Sequence, residues 1–277
     1  MFVSEPIDGR SRAPALSLSL TDPARAVVEF GLLLGSLPLR RTLPTGDGHP
    51  VLVLPGLLAD DTSTVPLRRI LRGLGYRVHG WRLGRNVGPT AQAVAGMGDR
   101  VNDLHTRYEA PISVIGWSLG GIYARAIARR RSAWVRQVIT LGSPFRLTDK
   151  NQSRATAAFD RFSHLHVERA RLPLELETED LQVPATSIYS RYDGIVAWQA
   201  CLDLTSPTAE NIAVIGSHFG YGHNPAVVWA VADRLAQPRG AWAPFRPPAA
   251  LRPLFPRADT PHDGPLPGDG RARRDPA

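Results

Sequence analysis

The stretch Ile112-Ser113-Val114-Ile115-Gly116-Trp117-Ser118-Leu119-Gly120-Gly121 decides how this chain is read. It opens as an apolar run of strand length and passes through Gly116-Trp117-Ser118-Leu119-Gly120 into a helix predicted to run to about residue 131. Gly-x-Ser-x-Gly is a weak signal by itself, because both residue types are common. Between a buried strand and a helix it reads as a sharp turn that lifts the serine above the end of a sheet. Such a turn strains the backbone at its centre. Glycines two places before and after remove the Cβ atoms that would keep the flanking backbones apart. The helix that follows directs its free N–H groups and positive dipole end to the same point, which favours negative charge developing there. Ser118 is therefore a candidate nucleophile.

Outward from this turn, apolar strands alternate with helices. Residues 51–54, bounded by Pro50 and Pro55-Gly56, form a continuous apolar run that suits a strand buried on both faces. Residues 76–81, 135–141, 186–189 and 212–215 are predicted as further strands. Helices are predicted over 66–74, 90–108 and 225–235, the first on the spacing Leu67, Ile70, Leu71, Leu74 with Gly75 as its stop. This alternation implies βαβ units: an α/β class fold with a mostly parallel central sheet and helices on both faces. Residues 145–182 break it and read as an insertion over the sheet's C-terminal edge, where open α/β sheets bind ligands. A helix from about 152 to 165 is predicted within it.

Thr21-Asp22-Pro23 reads as a helix start, with Thr21 or Asp22 as cap and proline in the first turn, the helix running to about residue 37. Residues 1–20 then form a loose leader and 21–237 the folded domain. From 238 to 277 the chain is rich in Pro, Gly, Arg and Asp and is expected to be partly disordered. Trp242, Phe245, Leu251, Leu254 and Phe255 are placed to pin the first part of this tail.

The partners a serine nucleophile needs follow in the order acid, then histidine. Asp193 lies just past the strand at 186–189, and His218 just past that at 212–215. A carboxylate there can orient an imidazole and stabilise its protonated form, while the imidazole takes the serine proton. The bland readings are a turn aspartate in Asp193-Gly194 and a loop histidine, with His223 as the alternative base. An oxyanion hole needs two backbone N–H groups. Leu119 supplies one, as the residue after the nucleophile, and Leu57 in Pro55-Gly56-Leu57-Leu58 is chosen for the other. Leu57, Leu58, Trp117, Leu119 and Phe145 are candidates to line an apolar pocket.

Leu54-Pro55-Gly56-Leu57, Gly116 to Gly121, Asp193-Gly194-Ile195-Val196 and Gly216-Ser217-His218-Phe219-Gly220 together resemble the lipase and esterase branch of the α/β-hydrolase superfamily, small bacterial triacylglycerol lipases in particular. The resemblance runs over about residues 51–235. It implies the α/β-hydrolase fold and cofactor-free hydrolysis of carboxylic esters by Ser118, Asp193 and His218, without fixing the acyl chain. In that family the histidine often precedes a bulky residue and glycine, which His218-Phe219-Gly220 fits better than His223-Asn224-Pro225. Where the family frequently has His-Gly before the oxyanion donor, this chain has Pro55-Gly56. The same triad could pass the acyl group to an alcohol or thiol instead of water. A non-catalytic binding module of the same fold is the reading of a different class, and the intact triad argues against it.

Composition excludes other classes. The formal charge is +8, but the cations are almost all arginine, Lys150 being the only lysine, and they are scattered. No long basic block or basic-aromatic repeat points to nucleic acid. Cys201 is the only cysteine, so no intrachain disulfide can form, and it reads as a small buried residue. No Cys/His cluster has zinc spacing, and the glycine-containing stretch 84–98 lacks the lysine of a phosphate loop. His79 and His105 stand alone and read as structural. The first 20 residues lack a signal-peptide layout. The apolar run 26–34 falls short of the ~20 residues that span a bilayer, and suits a helix packed on the surface or an interfacial anchor. The expectations are a cytoplasmic protein, a small-molecule or lipid ester as substrate, no metal, no nucleic acid, and peripheral membrane contact through the N-terminal helix or the tail.

Overall fold

The computed structural model describes residues 12–36, 41–147, 149–167, 180–203 and 208–259. Strands β1 (Pro50–Leu54), β2 (Arg77–Gly80), β3 (Ile112–Trp117), β4 (Val135–Leu141), β5 (Ala185–Tyr189) and β6 (Ala209–Ala213) form a six-stranded sheet in the order β2-β1-β3-β4-β5-β6. Every neighbouring pair is parallel. The helices are α1 (Leu16–Ser36), α2 (Val65–Gly73), α3 (Ala91–Tyr108), α4 (Leu119–Arg130), α5 (Thr156–Arg161) and α6 (Pro225–Ala236). Val51 and Val53 of β1 turn to a core shared with α2 and α6, whereas Leu52 and Leu54 turn to one shared with α3 and α4. This burial on both faces is why β1 reads as an unbroken apolar run rather than an alternating one. The sequence-derived class, a parallel sheet covered on both sides, is what the chain adopts.

The strand order places the site. From β1 the chain crosses to β2 on one side, then returns to add β3 on the other. The loops after β1 and β3 diverge at this switch point and leave a crevice at the strands' C-terminal ends, the usual ligand position in open α/β sheets. Ser118 follows β3 directly, and Gly56-Leu57 follows β1.

Three elements differ from expectation. Helix α1 begins at Leu16 instead of Thr21, so Pro23 lies inside it. Thr21 does not cap; its Oγ1 donates back to the Ser17 carbonyl at 2.8 Å, as an interior helical threonine does. Asp22 is fully buried and turned toward the body of the protein. The stretch before α1 is attached as well: Ala13 N–H donates to the Asn151 carbonyl at 2.7 Å, and the Arg154 guanidinium donates to the Pro14 carbonyl. Strand β6 spans Ala209–Ala213, so the apolar run 212–215 overlaps only its end, and Ile215 is exposed. An edge strand need not be apolar throughout. The helix predicted over 152–165 is divided into a 3-10 turn at Lys150–Gln152, α5, and a 3-10 turn at Ser163–Leu165. Asp149 caps the first of these in a reciprocal pair with Gln152.

The beginning of the tail is pinned. Phe245 and Phe255 pack edge-to-face against each other and against the core. The Asp259 carboxylate accepts from the Tyr189 hydroxyl at 2.8 Å. The disorder expected further on lies outside the described residues. Among these, no helix is long and apolar enough to cross a membrane. Helix α1 nonetheless shows Leu20, Val27, Val28 and Leu32 to solvent.

Candidate active site

Ser118 stands at the turn between β3 and α4 with φ 51° and ψ −119°, a positive φ that non-glycine residues rarely adopt. The conformation is held from below, where Ser118 N–H donates to the Leu141 carbonyl of β4 at 2.8 Å. The glycine spacing is a packing requirement. A Cβ on Gly116 would run into the Gly120 backbone. One on Gly120 would stand 2.5 Å from the Leu54 carbonyl oxygen and 2.7 Å from that of Pro55. The elbow can therefore press against β1 only with glycine at these positions.

Asp193 and His218 come together from the loops after β5 and β6. His218 Nδ1 lies 2.7 Å from Asp193 Oδ2, both side chains almost wholly buried. Asp193 Oδ1 accepts the N–H groups of Ile195 at 2.8 Å and Val196 at 2.9 Å, so the carboxylate is held at both oxygens. Trp117 Nε1 donates to the His218 carbonyl at 3.1 Å, tying the histidine loop to the residue before Ser118. Burial pulls the imidazole pKa down, but the charge and hydrogen bond of Asp193, with the charge of Asp22 behind them, outweigh it. The net result is a pKa raised above 6.5. His223 is placed otherwise: its Nε2 meets the Ala26 carbonyl of α1 at 2.8 Å, and its ring packs edge-on against Phe30.

Leu57 and Leu119 flank Ser118 in the wall of one cavity of about 540 Å³, with Ile122, Phe159 and Val196 adding apolar surface. Gly56 lets the loop after β1 lie against the elbow; a Cβ there would stand 3.3 Å from Ser118 Cβ. Trp117 and Phe145, expected in this lining, pack into the two cores instead, and Leu58 points outward, 40 % exposed. Asp149, Lys150, Thr156 and Asp160, from the stretch expected to be an insertion, also line it.

Two groups in the surroundings carry no local sequence signal. Asn86 is fully buried beneath the loop after β1: its Nδ2 donates to the Pro55 carbonyl at 2.9 Å, and its own carbonyl accepts Leu58 N–H at 2.7 Å. Asp22 of α1 reaches both the loop that bears Asp193 and the loop that bears His218. A second Ser-His-Asp chain stands at the opposite, N-terminal end of the sheet. There His49 bridges Asp47 and Ser113, with Nε2 2.8 Å from Ser113 Oγ. Ser113 is fully buried inside β3 and does not line the cavity at Ser118, so the chain reads as structural. His79 bonds the Tyr108 hydroxyl at 3.0 Å, and burial and nearby arginines lower its pKa to about 4. His105 stacks on Trp134. Cys201 is buried, and desolvation with the Asp193 charge pushes its thiol pKa up, away from reactivity.

No protein-family model matches the chain, and no curated protein matches it in sequence. Solved structures do match in fold. Lipase B of Aspergillus fumigatus is similar over 71% of this chain, with 17% identity and a TM-score of 0.57; the match spans 54% of that lipase, about half its length. A structure reported for LipS and LipT, two metagenome-derived lipolytic enzymes, is similar over 69% of this chain and 93% of its own, with 15% identity and a TM-score of 0.51. At such identities the likeness establishes the fold: the chain has the α/β-hydrolase fold.

Proposed function

We propose that this chain hydrolyses carboxylic esters with apolar acyl groups through an acyl-Ser118 intermediate. The observation that carries the reading is the 2.7 Å contact of His218 Nδ1 with the doubly held Asp193 carboxylate, beside a serine elbow that opens into an apolar-walled cavity. A proton kept on Nδ1 leaves Nε2 free as a base. Nε2 takes the Ser118 hydroxyl proton while Oγ forms a bond to the ester carbonyl carbon. The carbonyl oxygen becomes an oxyanion, met by the Leu57 and Leu119 N–H groups. Collapse breaks the bond to the alkoxy oxygen, which leaves with the proton from His218. Water then attacks the acyl carbon, giving its proton to His218, and Ser118 departs with that proton as the acid is released. Asp193 stays ionised and stabilises each imidazolium.

The cavity wall supports an apolar acyl chain, since each buried CH₂ adds ~0.8 kcal/mol, about fourfold in affinity. The test is a series of p-nitrophenyl esters from acetate to palmitate with fluorophosphonate labelling of the intact chain. The expected result is a kcat/KM that rises from acetyl to at least butyryl or hexanoyl. Ser118→Ala should lower turnover by at least ~10³-fold, with the label on Ser118. His218→Ala should abolish activity and His223→Ala retain a substantial part. Label on Ser113, Ser143 or Ser217, or absence of both label and turnover, would overturn the reading. A peak at acetate would overturn the choice of acyl group.

A further inference from the structure

Helix α1 was expected to be a surface element, yet it carries two buried carboxylates aimed at the loop that bears His218. Three consecutive main-chain N–H groups of that loop donate to them: Ser217 to Glu29 Oε1 at 2.7 Å, His218 to Asp22 Oδ2 at 2.9 Å, and Phe219 to Asp22 Oδ1 at 2.9 Å. Asp22 Oδ2 also accepts Gly194 N–H of the acid loop at 2.9 Å. One carboxylate oxygen thus joins the residue that follows Asp193 to the backbone of His218. The fit is close: a Cβ on Gly194 would stand 2.5 Å from the Leu18 carbonyl oxygen and 2.8 Å from Asp22 Oδ2, and one on Gly220 would collide with Glu29. Arg25 closes the arrangement, donating to Asp22 Oδ2 at 3.0 Å and to the Tyr192 carbonyl of the acid loop at 2.8 Å.

We propose that Asp22 is a positioning residue for the triad, holding the acid and histidine loops in register from α1; this rests on the reading of Ser118, Asp193 and His218 as the triad. What α1 adds is a rigid, charge-assisted reference that both loops share, and such bonds are about twice as strong as neutral ones. A geometric error near 1 Å between base and nucleophile can cost ~10²-fold in rate. Asp22 does not line the cavity, so it should act on kcat and not on substrate binding. Its charge also raises the His218 pKa, after the larger effect of Asp193. The other groups near this histidine and its carboxylate are Phe219 and Tyr221 of its own loop and Cys201 beside Asp193, with Arg25 and Glu29 on α1.

The experiment compares the full-length chain with Asp22→Ala, Asp22→Asn and Gly194→Ala, checked for folding by near-UV circular dichroism. Kinetics use p-nitrophenyl butyrate, and His218 is titrated by NMR of its ring nitrogens. Asp22→Ala should lose ~10²-fold in kcat with KM within about threefold. Asp22→Asn, which keeps an acceptor but not the charge, should fall between it and wild type. In both, the His218 midpoint should move to lower pH. Gly194→Ala leaves Asp22 in place but forces the acid loop off α1, so it should lose kcat while KM holds, and it serves if Asp22→Ala does not fold. A kcat per folded molecule within about threefold of wild type in all variants, with an unmoved His218 titration, would overturn the proposal. If wild type itself shows no ester turnover, the proposed function fails, and the His218 titration alone decides whether Asp22 acts on the histidine.

Discussion

Replacing Asp193 by asparagine tests the triad as a unit, and the outcome can be worked from its contacts. Oδ1 already accepts the N–H groups of Ile195 and Val196, and Oδ2 faces His218 Nδ1. An asparagine must therefore keep its oxygen at the Oδ1 position. The opposite orientation would set its NH₂ against the buried Val196 N–H and the half-buried Ile195 N–H, at up to ~1–3 kcal/mol for each unmet group. The amide nitrogen is then forced against Nδ1, which can only accept. The ring proton moves to Nε2, which now donates toward Ser118 and no longer serves as a base. The negative charge that would stabilise the imidazolium is lost as well. The same exchange in a serine protease triad costs on the order of 10⁴-fold in kcat, equivalent to about 5 kcal/mol of transition-state stabilisation. Turnover of p-nitrophenyl butyrate per folded molecule, with the thermal midpoint measured alongside, should show that loss with little change in stability. The double variant Ser118→Ala/Asp193→Asn should be only slightly worse than either single one. A lowered thermal midpoint with turnover near wild type would refute the reasoning and make Asp193 a structural turn residue.

The raised His218 pKa has a pH signature: a base must be neutral, so kcat/KM should fall on the acid side through a midpoint above 6.5. A midpoint well below that would mean that burial outweighs Asp193. Asp203 is the nearest competing carboxylate downstream, and it is committed elsewhere, in a buried ion pair with Arg125 at 2.7 Å. Asp203→Asn should destabilise the fold, by up to ~3–5 kcal/mol for a broken buried pair, seen in calorimetry, while turnover per folded molecule persists; the reverse pattern would move the acid. The membrane contact expected through α1 has a concrete form in Val27 and Val28, 72 % and 63 % exposed on a chain of net charge +8. The full chain should cosediment with phosphatidylglycerol vesicles and Val27→Asp should weaken this; equal binding by the variant would remove α1 from that role.

The features legible in the sequence were those whose physics is local. The elbow announces itself because Gly116 and Gly120 must sit a fixed two places from Ser118 for the backbones to meet. The sheet announces itself because β1 is buried on both faces and is apolar throughout, as are Val114-Ile115 of β3 and Val138-Ile139 of β4. Asp193 and His218, which the structure brings into contact, stand out in the sequence by their places just past strand ends, where a loop residue can reach the crevice. Strand β6 was misregistered because an edge strand has weaker demands on its residues, and Trp117 and Phe145 were misplaced because side-chain direction follows from sheet packing. The start of α1 differs from the local pattern because of distant partners. Thr21-Asp22-Pro23 carries the local chemistry of a helix cap, but the main-chain N–H groups that Asp22 accepts lie 172, 196 and 197 positions away. A carboxylate's choice between capping its own helix and accepting distant N–H groups depends on which donors the fold brings within 3 Å, and so does the role of Asn86 beneath the loop after β1. The sequence determined the kind of fold and the order in which Ser118, Asp193 and His218 follow its strands. Only the tertiary structure decided which buried polar groups hold them in place, because those bonds join segments that share no local pattern.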